Sequence, residues 1–268
     1  MSDLAFHFVD RPRGLPLVLL PAFPFDGRMW QFVARQLGED AIRVDPPGFG
    51  DSVKESVLES RHGTSFGPSL DSYADALAAG LDELGIERII LAGASMGGYT
   101  AMAFAQRHPE RLAALGLIGT KATADSAEAA DTRLRMAEAA EAELGDISTH
   151  QLVVLLERLV SPVTRRDNEA LYERLESWLE QSPVAAIAWA QRAMAARPDR
   201  TDVLRKLDVP AVVVQGADDG VCTREDHELI ADSLGVQLQV VENAGHLVAV
   251  EAPQRVAEIL DELRAQVS

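Results

Sequence analysis

Short apolar runs and amphipathic stretches alternate along most of the chain. Residues 15–20 (LPLVLL) form a compact apolar run of the kind found in a parallel strand buried on both faces. Residues 28–37 carry apolar side chains at 29, 30, 32, 33 and 37, the spacing of an amphipathic helix. Ala41–Val44 predicts the next strand, ended by Asp45-Pro-Pro-Gly48. Ser69 or Asp71 caps a helix running to about residue 84. A strand over 87–92 (ERIILA), a helix over 96–108 stopped by Pro109, and a strand over 112–118 follow. Later come strands at 209–215 and 236–241, with a helix over 225–234 between them, and a closing helix over 248–267. Residues 4–9 alternate weakly and predict an edge strand, while 49–68, rich in Gly, Ser, Pro and charge, predict a long loop.

From 122 to 199 the rhythm changes. This stretch is rich in Ala, Glu, Leu and Arg and has no convincing strand. It predicts several helices, broken at Gly145-Asp146, Pro162 and Pro183. Alternating strands and helices imply a doubly wound, mostly parallel α/β sheet. An all-helical block inserted between two of its strands is most simply a cap over the carboxyl ends of the strands, where such sheets bind ligands. The expected division is a core of 1–121 and 200–268 with a cap of 122–199.

Composition narrows the classes of function. The 268 residues are 47% hydrophobic and 25% charged, with a formal net charge of −17. Such a surface repels phosphate backbones and anionic lipid, which argues against nucleic-acid and membrane-surface partners. The single cysteine, Cys222, excludes an internal disulfide and a Cys-based zinc cluster. The amino-terminal residues lack the basic, then apolar, then small-residue pattern of a signal peptide, and no apolar run is long enough to span a bilayer. The expectation is a soluble, cytoplasmic protein.

Gly93-Ala-Ser95-Met-Gly97-Gly98 follows a predicted strand and opens a predicted helix. In that context it reads as a nucleophile elbow: small residues let the backbone turn tightly and hold the serine at the sheet's edge. No lysine follows, so a phosphate-binding loop is disfavoured. A serine acts at neutral pH only beside a base that is itself oriented by an acid. Of the six histidines, His7, His62, His108, His150 and His227 read as surface residues. His246 differs, because it lies in a short loop directly after a predicted strand, on the same side of the sheet as Ser95. Asp218 and Asp219, in the loop after the preceding strand, are both candidates for the acid, and spacing does not choose between them. Cys222 reads as a small semi-buried residue.

Taken together, these segments resemble the α/β-hydrolase superfamily over nearly the whole chain. Besides the elbow and the two late loops, Pro21-Ala-Phe-Pro24 looks like the family's His-Gly-x-Pro loop, and Asp45-Pro-Pro-Gly48-Phe-Gly50-Asp-Ser52 its Asp-x-x-Gly-x-Gly-x-Ser. Within the superfamily the chain looks most like small capped esterases and lactonases related to 3-oxoadipate enol-lactonases. The resemblance implies catalysis by Ser95, His246 and Asp219, the last favoured over Asp218, without metal or organic cofactor. It implies an oxyanion hole from the N–H groups of Phe23 and Met96, and a small, hydrophobic ester or lactone as substrate. Pro21-Ala22 departs from the family's His-Gly. Phe25, Trp30, Tyr99, Trp178 and Trp189 are the expected substrate-binding residues, with Leu152, Leu155, Leu156 and Leu159 as further candidates in the cap. The same triad would also serve perhydrolysis or cleavage of a C–C bond, and a ligand-binding protein on this scaffold is the non-enzymatic alternative.

Overall fold

The computed structural model describes residues 2–10, 12–62, 66–142 and 149–267; of residues 62 and 149–153 it describes only the backbone. Strands β1 (Phe6–Phe8), β2 (Leu17–Leu20), β3 (Ala41–Val44), β4 (Ile89–Ala94), β5 (Leu112–Ile118), β6 (Ala211–Gly216) and β7 (Leu238–Val241) form one sheet in the order β1-β3-β2-β4-β5-β6-β7. All neighbours are parallel except β1, which pairs antiparallel with β3 and sets Phe6 opposite Val44. The central strands β2, β4 and β5 are buried at every position, as their unbroken apolar runs require.

The helices of the first half are α1 (Gln31–Leu37), α2 (Glu55–His62), α3 (Leu70–Glu83) and α4 (Met96–Arg107). Between β5 and β6 lie α5 (Ala127–Ala142), α6 (Thr149–Leu159), α7 (Pro162–Asp167), α8 (Glu169–Glu180), α9 (Val184–Ala195) and α10 (Thr201–Leu204). The chain then adds α11 (Arg224–Leu234), α12 (Val248–Glu251) and α13 (Pro253–Arg264). Because side chains alternate across a strand, Val18, Leu20 and Leu91 pack against α3 and α4 on one face. Leu17, Leu19 and Ile90 pack against α1, α12 and α13 on the other. The fold is thus doubly wound. The inserted helices join both layers: Ile187 and Trp189 of α9 belong to the first core, Leu175 and Trp178 of α8 to the second.

The inserted block has no strand among the described residues. Pro162 opens α7 behind a Ser161 cap, and Pro183 caps α9, so both prolines begin helices rather than merely ending them. Asn168 adds a break, its side chain accepting from the Leu171 N–H to start α8. The expected break at Gly145-Asp146 lies outside the described residues. Three further differences are local. The loop expected over 49–68 contains α2, whose weak pattern rests on one buried anchor, Leu58, beside an exposed Val57. The helix expected from residue 28 begins as a 3₁₀ turn, Gly27–Trp30, capped by Asp26. The closing helix is split at Pro253, which cannot continue α12 and instead opens α13.

Asp45 organises the edge of the sheet. Its carboxylate accepts hydrogen bonds from the Gly27 N–H (2.8 Å), the Asp51 N–H (2.9 Å) and His7 Nε2 (2.7 Å). Three segments distant in sequence are thereby fixed around the end of β3. No helix of the described residues is long and apolar enough to cross a membrane.

Candidate active site

The turn from β4 into α4 places Ser95 at φ +50°, ψ −111°, a conformation that costs a non-glycine residue about 1–3 kcal/mol. Its surroundings hold it there. The Ser95 N–H donates to the Ile118 carbonyl (2.9 Å), and Thr120 Oγ1 donates to the Ser95 carbonyl (2.9 Å). The flanking glycines are sterically required. A Cβ on Gly93 would lie 2.2 Å from the Gly97 carbonyl oxygen, and one on Gly97 would lie 2.3 Å from that of Leu20.

Two loops at the carboxyl ends of β6 and β7 meet the serine. They are joined by the Asp218 N–H donating to the Ala244 carbonyl (2.9 Å). His246 Nε2 lies 2.8 Å from Ser95 Oγ, and His246 Nδ1 lies 3.0 Å from both carboxylate oxygens of Asp219. With Nδ1–H donating to Asp219, Nε2 is left to accept the serine proton. Asp219, not Asp218, reaches the imidazole: it turns inward because its Oδ1 also accepts the N–H groups of Val221 (2.8 Å) and Cys222 (3.0 Å), while Asp218 is exposed. Burial penalises the Asp219 charge, but hydrogen bonds from His246, Cys222 and Val221 outweigh that and hold its carboxyl below the usual range. Burial likewise works against imidazolium at His246; the hydrogen bond and charge of Asp219 prevail and raise its pKa.

Sequence reasoning missed a second histidine here. His227, expected at the surface, is wholly buried, with Nε2 3.9 Å from Asp219 Oδ2. Its Nδ1–H donates to the Thr223 carbonyl (2.8 Å), and Nε2 has no hydrogen-bond partner among the described residues. Burial pushes its pKa down, so it backs the acid as a neutral ring. The polar start of α11 disguised it, although its i+4 spacing from Thr223 places it on that helix's inner face. His7 and His108 are partly exposed and pair with Asp45 and Asp75. The side chains of His62, His150 and Leu152 lie outside the described residues.

The loop after β2 approaches the elbow from the other side. The Gly97 N–H donates to the Pro21 carbonyl (3.1 Å), the Ala22 N–H to Met29 Sδ (3.0 Å), and the Phe25 N–H to the Ala22 carbonyl (2.8 Å). The departure at Pro21-Ala22 therefore leaves a loop tied to the elbow through its backbone. The N–H groups of Phe23 and Met96 donate to no partner among the described residues.

A cavity of about 480 Å³ opens above Ser95 and His246. Its walls include Phe23, Tyr99, Leu155, Leu159, Met194 and Cys222, and charged groups from the segment joining β5 to α5, from α5 and from α6. Of the five expected aromatic contacts only Tyr99 lines it. Phe25, Trp30, Trp178 and Trp189 are corrected to packing roles. Phe25 meets Trp178 edge-on at 6.5 Å, and Trp189 stacks on Phe66 at 6.0 Å. Trp30 lies in the core between α1 and the sheet. Leu156 is also wholly buried among apolar neighbours. A wider groove of about 1050 Å³, between residues 8–10, 12 and 14–16 on one side and residues 84–88 on the other, lies at the amino ends of the strands, far from these groups. Donor atoms of Asp219, Cys222 and His246 lie within 4.8 Å of one another, as do those of His7, Asp45 and Asp51. In the first group, His246 is already committed to Asp219 and Ser95.

Residues 16–253 match the family model described as the alpha/beta hydrolase fold. The chain belongs to the α/β-hydrolase fold family and is an enzyme of that type. Among curated relatives, the dihydrolipoyllysine-residue acetyltransferase component of the acetoin cleaving system of Pseudomonas putida is 30% identical over 91% of this chain; the chain spans 61% of that protein's length. The 3-oxoadipate enol-lactonase 2 of Acinetobacter baylyi is 28% identical over 72% of this chain and 71% of its own. Among solved structures, a thermophilic esterase from Thermogutta terrifontis, with malate bound, is 33% identical and superposes with a TM-score of 0.88 over 98% of this chain and 93% of its own.

Proposed function

We propose that the chain is a serine hydrolase that cleaves a small carboxylic ester or lactone through an acyl-enzyme. The supporting observation is the unbroken hydrogen-bond chain from Ser95 Oγ through His246 to Asp219, at the wall of a cavity large enough for a small molecule. His246 Nε2 takes the Ser95 proton as Oγ attacks the carbonyl carbon, and the electron pair of the C=O bond moves onto its oxygen. That oxyanion would be met by the free N–H groups of Met96 and Phe23 and by the positive end of α4. Collapse of the adduct expels the alkoxide, which takes the proton back from His246. Water then attacks the acyl-enzyme with His246 again as base, releasing the acid and restoring Ser95. Asp219 keeps the proton on Nδ1 and stabilises the imidazolium formed at each attack. Residues 122–199 act in this reading as the cap over a core of 1–121 and 200–268.

The enol-lactonase and esterase among the relatives support an ester or lactone as substrate. Intact-mass labelling with a fluorophosphonate tests the reading without the natural substrate. The expected result is one adduct on the wild type and none on Ser95→Ala or His246→Ala. A correctly folded wild type that takes up no label would overturn it.

A further inference from the structure

The cavity above Ser95 has an uneven charge. Asp125, on the segment joining β5 to α5, is almost wholly buried yet faces three cations. Arg197 holds it through two nitrogens, Nη2 to Oδ1 at 2.6 Å and Nη1 to Oδ2 at 2.8 Å. Arg133 Nε donates to Oδ2 at 2.6 Å, and Lys121 Nζ lies 3.4 Å from Oδ1. Burial opposes ionisation of Asp125, but these arginines overcome it and hold the carboxyl far below its usual range.

One carboxylate cannot neutralise three cations. Arg197 is the natural partner: it is as buried as Asp125, it donates to the Met194 and Thr123 carbonyls, and its guanidinium lies 4.1 Å from the centre of the Tyr99 ring. Arg133 and Lys121 are the surplus. Both are about one-quarter exposed, and both form part of the same cavity wall as Ser95 and His246. Arg133 Nη1 is used by Gln191 Oε1 (3.2 Å), whereas Nη2 has no partner among the described residues. The wall also carries Arg158 and Glu128, both exposed and of opposite sign, which add no net charge to it. Two positive charges therefore remain inside a protein whose formal net charge is −17. Leu155, Leu159 and Met194 add apolar surface to this wall, and Lys121 and Arg133 must share the one Asp125 carboxylate with Arg197, with no second ion-pair partner among the described residues.

We infer that Lys121 and Arg133 form the binding site for an anionic group of the substrate, which is then an ester or lactone bearing a carboxylate remote from the scissile carbonyl. The inference rests on the hydrolase reading and names the substrate class of that site. A carboxylate can accept from the free Nη2 of Arg133 and from the Lys121 ammonium beside it. The apolar walls would take the short carbon chain between the two carbonyl groups.

The test pairs two p-nitrophenyl esters of equal chain length, the neutral valerate and the anionic hemiglutarate. The expected wild-type kcat/KM is at least about tenfold higher for the hemiglutarate, the scale of a hydrogen bond to a charged group. That ratio should fall about tenfold in Lys121→Met and in Arg133→Met, and be retained in Lys121→Arg. A ratio near or below one in the wild type, or a ratio that neither charge-removing variant lowers, overturns the inference. Titration with glutarate, against glutaramide as the neutral control, reads the same site without turnover. Glutarate should bind the wild type in preference to glutaramide, and about tenfold more weakly to Arg133→Met. A wild type that Ser95 labelling shows to be inert but that binds glutarate through this pair would sink the hydrolase reading and keep the anion site. Efficient labelling with no preference for glutarate or for the anionic ester would do the reverse.

Discussion

At the scale of single residues, Asp219 decides whether His246 is a base with a defined tautomer. Asp219→Asn keeps the shape but presents an amide to Nδ1, and kcat/KM on p-nitrophenyl acetate should fall about 10⁴-fold. The pH profile adds a sign. Asp219 raises the His246 pKa, and the reaction needs the neutral ring, so activity should climb with pH through a value above the ordinary histidine value of 6.5. Without the carboxylate that limb should move to lower pH. A limb that stays in place in the variant would mean that it reports some other group. Ser95 and His246 could be singled out in the sequence because each sits in a short loop directly after an apolar strand. Spacing did not choose between Asp218 and Asp219, and only the family resemblance favoured Asp219, because the choice depends on which carboxylate the Val221 and Cys222 N–H groups draw inward. Nor could the fate of the tryptophans. Apolar periodicity says that Trp30 and Trp189 are buried, but not whether the partner across from them is a helix or a cavity.

Whole elements bring these residues within reach of one another. The β4–α4 turn fits only because Gly97 packs directly on the end of β2. Gly97→Val should cost about 1–3 kcal/mol or more in urea unfolding, since its Cβ meets backbone that has no room to yield. A cavity-free, wild-type stability in that variant would contradict the close approach. The loop carrying His246 is fixed from α12. Glu251 Oε1 accepts the Gly245 N–H (2.8 Å), and Oε2 accepts the Ser161 N–H (2.8 Å) and Thr164 Oγ1 (2.7 Å) at the start of α7. One carboxylate thus ties the histidine loop to the inserted helices. Glu251→Ala should lower stability by about 2–3 kcal/mol through its orphaned donors. It should also reduce kcat by about tenfold or more while KM moves less, because the displaced group is the base and not the cavity wall. Equal changes in kcat and KM would argue against a positioning role. The strands were legible as apolar runs, to within two residues at each end. Helix α2 was not, since a single buried Leu58 leaves no periodic signal, and the Glu251 tie was not, because its partners lie 6 to 90 residues away.

Over the whole molecule, the sheet buries two cores and exposes its charge, and the balance between them depends on pH. The alternation of strands and helices made the doubly wound sheet and the helical insertion readable from the sequence, because each crossover buries one face of a helix. The clamp on the sheet's outer edge was hidden, since it joins β1 to the end of β3 through one ion pair. His7 Nε2 donates to Asp45 Oδ2, which lifts the His7 pKa against the opposing effects of burial and of Arg43; Asp51 adds to the rise. Burial disfavours the Asp45 charge, but the hydrogen bonds from His7, Asp51 and Gly27 lower its pKa regardless. A histidine whose folded pKa is raised contributes its full stabilisation below 6.5, and loses it as pH climbs through the folded value. A carboxylate whose pKa is lowered contributes above 3.8, and loses it as pH falls through its folded value. The clamp is therefore strongest between about pH 4 and pH 6.5 and weakens towards pH 9. Over the same rise the net charge of −17 becomes no smaller, so general repulsion also erodes stability and must be subtracted. His7→Gln does this, because it keeps a hydrogen-bond donor but cannot titrate. Chemical unfolding at pH 6 and pH 9 should show the wild type losing more stability than His7→Gln across that interval. Equal losses in the two proteins would show that the clamp carries no proton and that the pH dependence belongs to the surface charge alone.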